Sequence, residues 1–574
     1  MHSLLENRFY PVILFAIYLV LLGIVVYGVD YLSKGEIMEF LKKGVPWSLR
    51  INFFVLLAGV AFCSREILEA FKSLGRRDAV LLALIVIGAV LFSSLAAPTI
   101  HRIYYDEDIY ANVGQNIAIK NLTGFCDYGT FEYDEYFVHW LSYNKEPSGW
   151  PFLISLVFQL FGVNELYPFF LNNAILATSV LVVFFISRRL SGSPTGALFS
   201  ALFFALIPHN LIWHNTAAAE PSAVLFGGLT VLICLVYLST HKTRHLFLLA
   251  AVIPLSCQMR PESLLIIFWA IAAVLLLSPG TFRDRRVWTA GLLMLLFLVP
   301  HLLHLHAVSG ESWGAQGAKF SLGYFAANLR VNGLYFLNNL EFPLLWSLFA
   351  LAGLLFSSQS PRLRLLILLW FLLFWGIFLF FYAGSYKYGA DDRFSLLTFM
   401  PLAILAGMGL QRLIGWITDW ATRRLSAGPA AIRPVSWVAM LLLLLSFMGF
   451  LPMIRQEGQE AWDARHDHRF ARLMLEDIPR RSIILTHTPT MFLLWQQNAI
   501  QTYAGVNNPD LISRLMTEYQ GEVYFHHGYW CNTRNEANVR LCRNIMERYD
   551  LEEVAVHTEQ HRRYVLYKMR LKEG

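Results

Sequence analysis

The chain has little charge. Of its 574 residues, 15% are Asp, Glu, Lys or Arg, against about 25% in ordinary soluble domains. It has only six cysteines and no C-x-x-C pair, which excludes a disulfide scaffold and a zinc ribbon. It has no internal repeat and no low-complexity tract, which excludes a solenoid. What remains is apolar: 56% hydrophobic residues, 15% aromatic, and a mean hydropathy of +0.48. A soluble protein of this length cannot bury so much apolar surface. The sequence therefore describes an α-helical polytopic membrane protein. Its net charge of +6 reflects loops on the inner side and implies no nucleic acid partner.

A helix needs about 20 apolar residues to cross ~30 Å of hydrocarbon. Thirteen stretches qualify: 9–29, 49–64, 79–97, 166–187, 195–214, 218–240, 246–259, 263–282, 287–306, 342–358, 365–385, 394–411 and 434–454. Their continuous Leu, Phe and Ala runs exclude a barrel, whose strands alternate. With the N-terminus inside, inner loops hold 18 bases against 6 acids, and outer loops before the C-terminal segment hold 12 against 18. The positive-inside bias gives N-in, C-out. No cleavable signal is evident, so the first helix reads as a signal anchor. Two helices occupy 1–78 and a larger membrane domain occupies 79–454, with outer loops at 98–165 and 307–341. The remaining segment, 455–574, carries 16 bases and 16 acids and reads as a small α/β extracytoplasmic domain. Strands are expected at 482–485, 499–503, 522–525 and 564–569, with helices near 490–498, 508–519 and 535–549. Cys531 and Cys542 are placed to bridge a loop to a helix, subject to geometry.

The first outer loop opens Tyr104-Tyr105-Asp106-Glu107-Asp108-Ile109-Tyr110-Ala111. Carboxylates near a bilayer surface cost desolvation energy and tend to have a task. They can hold a metal, or one can act as general base on a hydroxyl; a solvated loop start is the plain alternative. The loop continues through Lys145-Glu146-Pro147-Ser148-Gly149 to an apolar run, 152–162, too short to cross. That run reads as an amphipathic helix on the outer surface. Lys145 can reach a lipid phosphate or simply snorkel. Glu220 opens a span, where the helix dipole favours an acid whatever its function. Arg260 and Glu262 flank Pro261 and can form a structural ion pair. Arg393 follows Asp391 and Asp392. His526 and His527 are adjacent in an expected strand, so they face opposite ways and cannot easily share a metal.

The order of these elements resembles the GT-C membrane glycosyltransferases. The nearest branch is the bacterial family of aminoarabinose lipid A transferases and protein O-mannosyltransferases, similar to glycosyltransferase family 39. Asp106, Glu107, Tyr110 and Ala111 match its first-loop motif. Lys145, Pro147, Phe161, Gly162 and Glu165 follow, although Glu146-Pro147-Ser148-Gly149 departs from the family's tandem prolines. Arg188-Arg189-Leu190, Glu220-Pro221, Arg260-Pro261-Glu262 and Arg393-Phe394 with Pro401 complete the series, over about 79–411. All seven charged candidates (Asp106, Glu107, Lys145, Glu220, Arg260, Glu262 and Arg393) fall at the outer face of a topology derived from charge counts that made no use of the motifs.

The resemblance implies a GT-C fold and a glycosyltransferase of the cytoplasmic (inner) membrane with an extracytoplasmic site. Its donor would be a polyprenyl-phosphate sugar and its acceptor a lipid, glycan or protein, with inversion at the anomeric carbon. Asp106 would be the general base. Glu107 would orient the base or the acceptor. Lys145, Arg260 and Arg393 would bind phosphate, and Glu220 and Glu262 would hold substrate. The only cofactor left open is a divalent metal near Asp106 and Glu107. A transporter or flippase of lipid-linked saccharides is the rival reading. Transporters bury charge at mid-membrane, whereas these spans are almost free of it. A subunit with a degenerate site is a third reading, against which the intact Asp106-Glu107 counts.

Overall fold

A computed structural model describes residues 9–425, 429–519, 521–533, 535–559 and 562–572. The chain forms two compact units. One comprises Met1–Thr99, Lys145–Gly149 and Phe169–Gln456; the other comprises Ile100–Asn144, Trp150–Pro168 and Glu457–Gly574.

The first unit is helical. Among the described residues eight helices are long and apolar enough to cross a membrane, or up to nine if one bent pair is a single span. They include Tyr10–Tyr31, Lys34–Phe62, Arg76–Ala96, Tyr167–Ser191, Glu220–Thr240, Arg285–Ala307 and Pro361–Leu379. Phe15, Val20, Phe54, Leu84 and Leu95 are exposed on such helices, a surface that only lipid can cover at low cost. The chain is thus a multi-pass membrane protein. Four of the thirteen apolar stretches form shorter helices: Pro194–Ala205, Thr243–Cys257, Pro261–Leu277 and Leu344–Phe356. Prolines explain the first break. Pro208 pushes Ile207 into extended backbone and starts a new helix, Pro208–Trp213. Pro261 does the same to Arg260. Helix starts are capped by local chemistry: Ser33 and Glu36 form a capping box, and Ser193, Asp284 and Ser360 each accept a backbone N–H.

The second unit holds one seven-stranded sheet, in the order β2-β1-β4-β3-β5-β7-β6. The strands are β1 (Phe125–Glu132), β2 (Glu135–Ser142), β3 (Ile483–Thr486), β4 (Asn498–Gln501), β5 (Val523–His527), β6 (Tyr549–Glu559) and β7 (Arg562–Leu571). The first-loop hairpin β1–β2 joins the C-terminal strands through β1, which pairs antiparallel with β4. The loop 98–165 and the segment 455–574, separate in the sequence reading, therefore share one sheet. Strands β4, β3 and β5 run parallel. Alternate residues of β3 face opposite cores. Ile483 and Leu485 pack with Ile512 and Ile545, whereas Ile484 packs with Phe470, Met491 and Phe492. The four expected C-terminal strands are present within a few residues, as are the helices Pro489–Leu494, Pro509–Thr517 and Glu536–Arg548. Cys531 and Cys542 form a disulfide. The helix Gly149–Phe161 is present, and its Ile154 lies against Gly114, where any Cβ would come within 2.8 Å.

Candidate functional site

The helical unit draws its charged candidates together. Arg260 reaches Glu146 (3.3 Å), Glu220 (3.5 Å) and Glu262 (3.2 Å). Arg393 reaches the same Glu220 oxygen at 3.0 Å. Glu220 is fully buried, and the two guanidinium groups are nearly so. Each ion taken from water costs several kcal/mol unless paired, so the cluster is sustained by its mutual contacts. Local structure places each member. Glu220 is the first residue of the helix Glu220–Thr240, ahead of Pro221. Arg260 is extended and precedes the 3-10 turn Pro261–Leu264. Glu146 arrives because Gly149 donates its N–H to the Gln258 carbonyl at 2.8 Å. A Cβ on Gly149 would lie 2.4 Å from that oxygen, so only glycine permits the approach. The Phe394 ring faces both arginines, with centroids 5.8 and 5.1 Å from the guanidinium carbons.

Asp392, next to Arg393, meets His209 Nε2 at 3.0 Å, and His209 Nδ1 meets the Tyr335 hydroxyl at 2.6 Å. Sequence reading missed His209 and Glu146 as partners, since no local pattern links them to the arginines. Lys145 does not join the cluster. It pairs with Glu311 at 2.7 Å and stays half exposed.

Asp106 and Glu107 belong to the second unit, in the first turn of the helix Asp106–Lys120. Three acids in that turn face the helix dipole favourably. Tyr105 before it has φ +81°, a rare conformation for a bulky residue and a form of strain concentrated at functional sites. Asp106 is half-buried and Glu107 is buried. Glu107 accepts from the Arg102 and Ile103 backbone N–H groups at 2.8 and 3.0 Å, and its other oxygen meets His101 Nδ1 at 3.1 Å. It folds residues 101–103 back over the helix start.

Asp108, read from the sequence only as part of an acidic run, is the centre of a further cluster. Its carboxylate meets His468 Nε2 at 3.1 Å and His101 Nε2 at 3.9 Å. Burial pushes the Asp108 carboxyl up, but His468 and His101 outweigh it and hold it below the usual range. Burial likewise works against a charged His101, yet Asp108 and Glu107 raise it to about 9. His468 sits on the helix Gln459–Met474 beside Asp467, which accepts from the Tyr104 hydroxyl and the Tyr529 N–H and meets His526 Nε2 at 3.3 Å. His526 is buried, and His527 on the opposite face is half-buried.

Comparison with known proteins is made against this geometry. Residues 145–304 match the model of the dolichyl-phosphate-mannose-protein mannosyltransferase family. That region holds Lys145, Glu220, Arg260 and Glu262. No curated protein sequence matches the chain. Among solved structures, ArnT from Cupriavidus metallidurans bound to undecaprenyl phosphate is similar with a TM-score of 0.54 and 14% identity, over 84% of this chain and 97% of that one. The same protein in the apo state gives 0.52 and 15%, over 85% and 97%. The Archaeoglobus fulgidus oligosaccharyltransferase in its apo form gives 0.47 and 11%, over 83% and 73%. The chain has the fold of the GT-C membrane glycosyltransferases, the class to which its motifs pointed. Within that class its fold is like that of ArnT, and residues 145–304 carry the match to the protein mannosyltransferase model.

Proposed function

We propose that the protein transfers a sugar from a polyprenyl-phosphate donor to a hydroxyl of a lipid, glycan or protein acceptor, at the extracytoplasmic face of the cytoplasmic membrane. The observation that carries the reading is the buried pair Arg260 and Arg393 meeting on Glu220 inside the helical unit. Such charge is expensive and is retained where it binds charge. A guanidinium offers a planar fork of donors matched to phosphate oxygens. A donor lipid that cannot leave the bilayer needs a membrane enzyme, and its phosphate needs cations as it departs. ArnT, of the same fold, has been solved with undecaprenyl phosphate.

In this reading the acceptor oxygen attacks the anomeric carbon and forms the new C–O bond. The bond from that carbon to the phosphate oxygen breaks, and the phosphate leaves with the electron pair. One displacement inverts the centre, through a state with oxocarbenium character. Asp106 takes the acceptor proton. It stands half-buried in the first turn of its helix. Arg260 and Arg393 hold the leaving phosphate, Lys145 supplies a further cation, and Glu220 and Glu262 hold sugar hydroxyls and keep the guanidinium groups in place. Glu107 fixes the turn that presents Asp106. The N-in, C-out topology would put both units' chemistry on the outer side.

The test pairs purified wild type with Asp106→Asn and follows release of polyprenyl phosphate from a set of polyprenyl-phosphate sugars, with and without candidate acceptors. Asp106-dependent release is expected. Near-normal release by the variant would remove Asp106 from the base role. No release by folded wild type from any donor would move the weight to transport of lipid-linked saccharides.

A further inference from the structure

Open α/β sheets take their ligands at the carboxyl ends of parallel strands, where successive connections leave in opposite directions. The second unit has such a point. The chain leaving β3 goes through the helix Pro489–Leu494 to β4 on one side. The chain leaving β5 goes through Tyr529–Asn532 and Glu536–Arg548 toward β6 and β7 on the other. Between these exits lie the ends of β3 and β5, at Thr486 and His527. Asp467 reaches this place, bonded to Tyr529 and facing His526. So does Tyr104, whose hydroxyl bonds Asp467 and Thr488. His468, next to Asp467, carries the His101–Asp108–His468 cluster to the same spot.

That cluster has the composition and the support of a metal site. Its three ligand atoms lie within 4.8 Å of one another. Two imidazoles and one carboxylate suit zinc and its first-row neighbours, whereas magnesium and calcium favour oxygen alone. Ligands ~2.0–2.1 Å from a tetrahedral zinc stand about 3.3 Å apart. The His468 Nε2–Asp108 Oδ2 spacing of 3.1 Å already fits, and His101 Nε2 stands 3.9 Å from the other carboxylate oxygen, Oδ1, so the ring and the carboxylate have to close together around the ion. The partner behind the ligand is also in place. Glu107 binds His101 at Nδ1, which leaves Nε2 turned to Asp108. Metal-binding histidines are regularly oriented in this way by a carboxylate on the other nitrogen. Glu107 is itself fixed by two backbone N–H groups, so the ring orientation is set before any ion arrives. All three ligands are largely buried, at 11%, 2% and 14% side-chain exposure, which shields an ion from exchange.

We propose that His101, Asp108 and His468 bind one divalent transition metal, zinc foremost, at the switch point of this sheet, with a fourth position open to water or to a substrate oxygen. The ion ties the strained turn that carries Asp106 to the helix Gln459–Met474. This inference does not rest on the glycosyltransferase reading, because its readout is bound metal.

The experiment strips the full-length purified protein with a chelator, reloads it with zinc, desalts it and counts metal per chain. Asp108→Asn and His468→Gln are compared with wild type and with two controls, Asp106→Asn and His557→Gln. The second control removes a ligand of a separate histidine cluster, His466, His557 and Glu559. Wild type and both controls should hold about one zinc, and the two test variants at least tenfold less. Cobalt-loaded wild type should show the d–d absorption of a four- or five-coordinate site, a measurement that does not depend on how the variants fold. Zinc below about a tenth of an equivalent in wild type overturns the proposal. So does retention in both test variants, loss in His557→Gln alone, or an octahedral cobalt spectrum.

Discussion

Replacing Glu107 separates a reacting carboxylate from a holding one. The side chain is fully buried, and its polar contacts include two with backbone N–H groups and one with His101. Hydrogen bonds to a charged group contribute about 1.5–3 kcal/mol each. Glu107→Ala loses all three, and water entering the vacated space recovers part. The expected net cost is about 3–5 kcal/mol, the range for breaking a buried ion pair. Glu107→Gln keeps a carbonyl oxygen for the two N–H groups but turns an amide NH2 toward His101. Its cost should be about 2 kcal/mol, near a 30-fold change in the local opening equilibrium. Hydrogen-exchange mass spectrometry on peptides covering 100–120 reads that equilibrium directly. Protection should fall modestly in the glutamine variant and collapse in the alanine variant, while exchange in the Glu220–Thr240 helix stays unchanged. Equal protection in all three proteins, or a glutamine variant worse than alanine, would refute the holding role.

Asp106→Asn should abolish transfer yet shift stability by no more than about 1 kcal/mol, since the amide keeps the side chain's shape and removes one of three acids from a helix start; a thermal-unfolding scan beside the activity assay checks both. Glu220→Gln should destabilise the helical unit by about 3–5 kcal/mol, because it leaves Arg260 and Arg393 without their shared carboxylate, and adding Arg393→Met should recover part of that loss in a double-mutant cycle. Lys145→Ala breaks a half-exposed pair with Glu311 and should cost under about 1 kcal/mol, so any large fall in donor affinity measured for it reports binding and not folding. Cys531→Ser opens a disulfide of sequence separation 11 and should lower the stability of the second unit by about 3 kcal/mol, read as a drop in denaturant midpoint under non-reducing conditions.

Most membrane helices were legible because they are continuous apolar runs, whereas Lys34–Phe62 starts in a charged stretch well before the expected 49–64. The C-terminal strands were legible for a similar reason: Ile483–Thr486 and Val523–His527 are β-branched and aromatic runs between polar turns. Of the charged contacts in the helical unit, the pairing of Arg260 with Glu262 was anticipated by their flanking of Pro261, whereas the meeting of Arg260 and Arg393 on Glu220 was not. Other features had no local trace. The pairing of Tyr128 and Gly129 with Ile500 and Ala499 joins segments hundreds of residues apart, and two short strands do not announce a partner. The His468–Asp108 contact spans 360 positions, and a histidine within Arg465-His466-Asp467-His468-Arg469 looks like any solvated helix face. The role of Gly149 came from a backbone approach that no residue pattern encodes.

The single sheet has a consequence for how the protein is made. Strand β1 is synthesised well before β4, the strand it pairs with. Residues 133–497 come between, and at ~5–20 residues per second they take roughly 18–73 seconds to translate. Throughout that interval the 125–142 hairpin must wait outside the bilayer with one edge unsatisfied, and His101 and Asp108 must wait for His468. Completion of the sheet is therefore gated by synthesis of the segment that carries β3 to β7. A chain stopped at residue 456 can insert every helix of its membrane unit and still lack the sheet, the disulfide and the histidine cluster. Any chaperone that attends it would be engaged longest by the first outer loop.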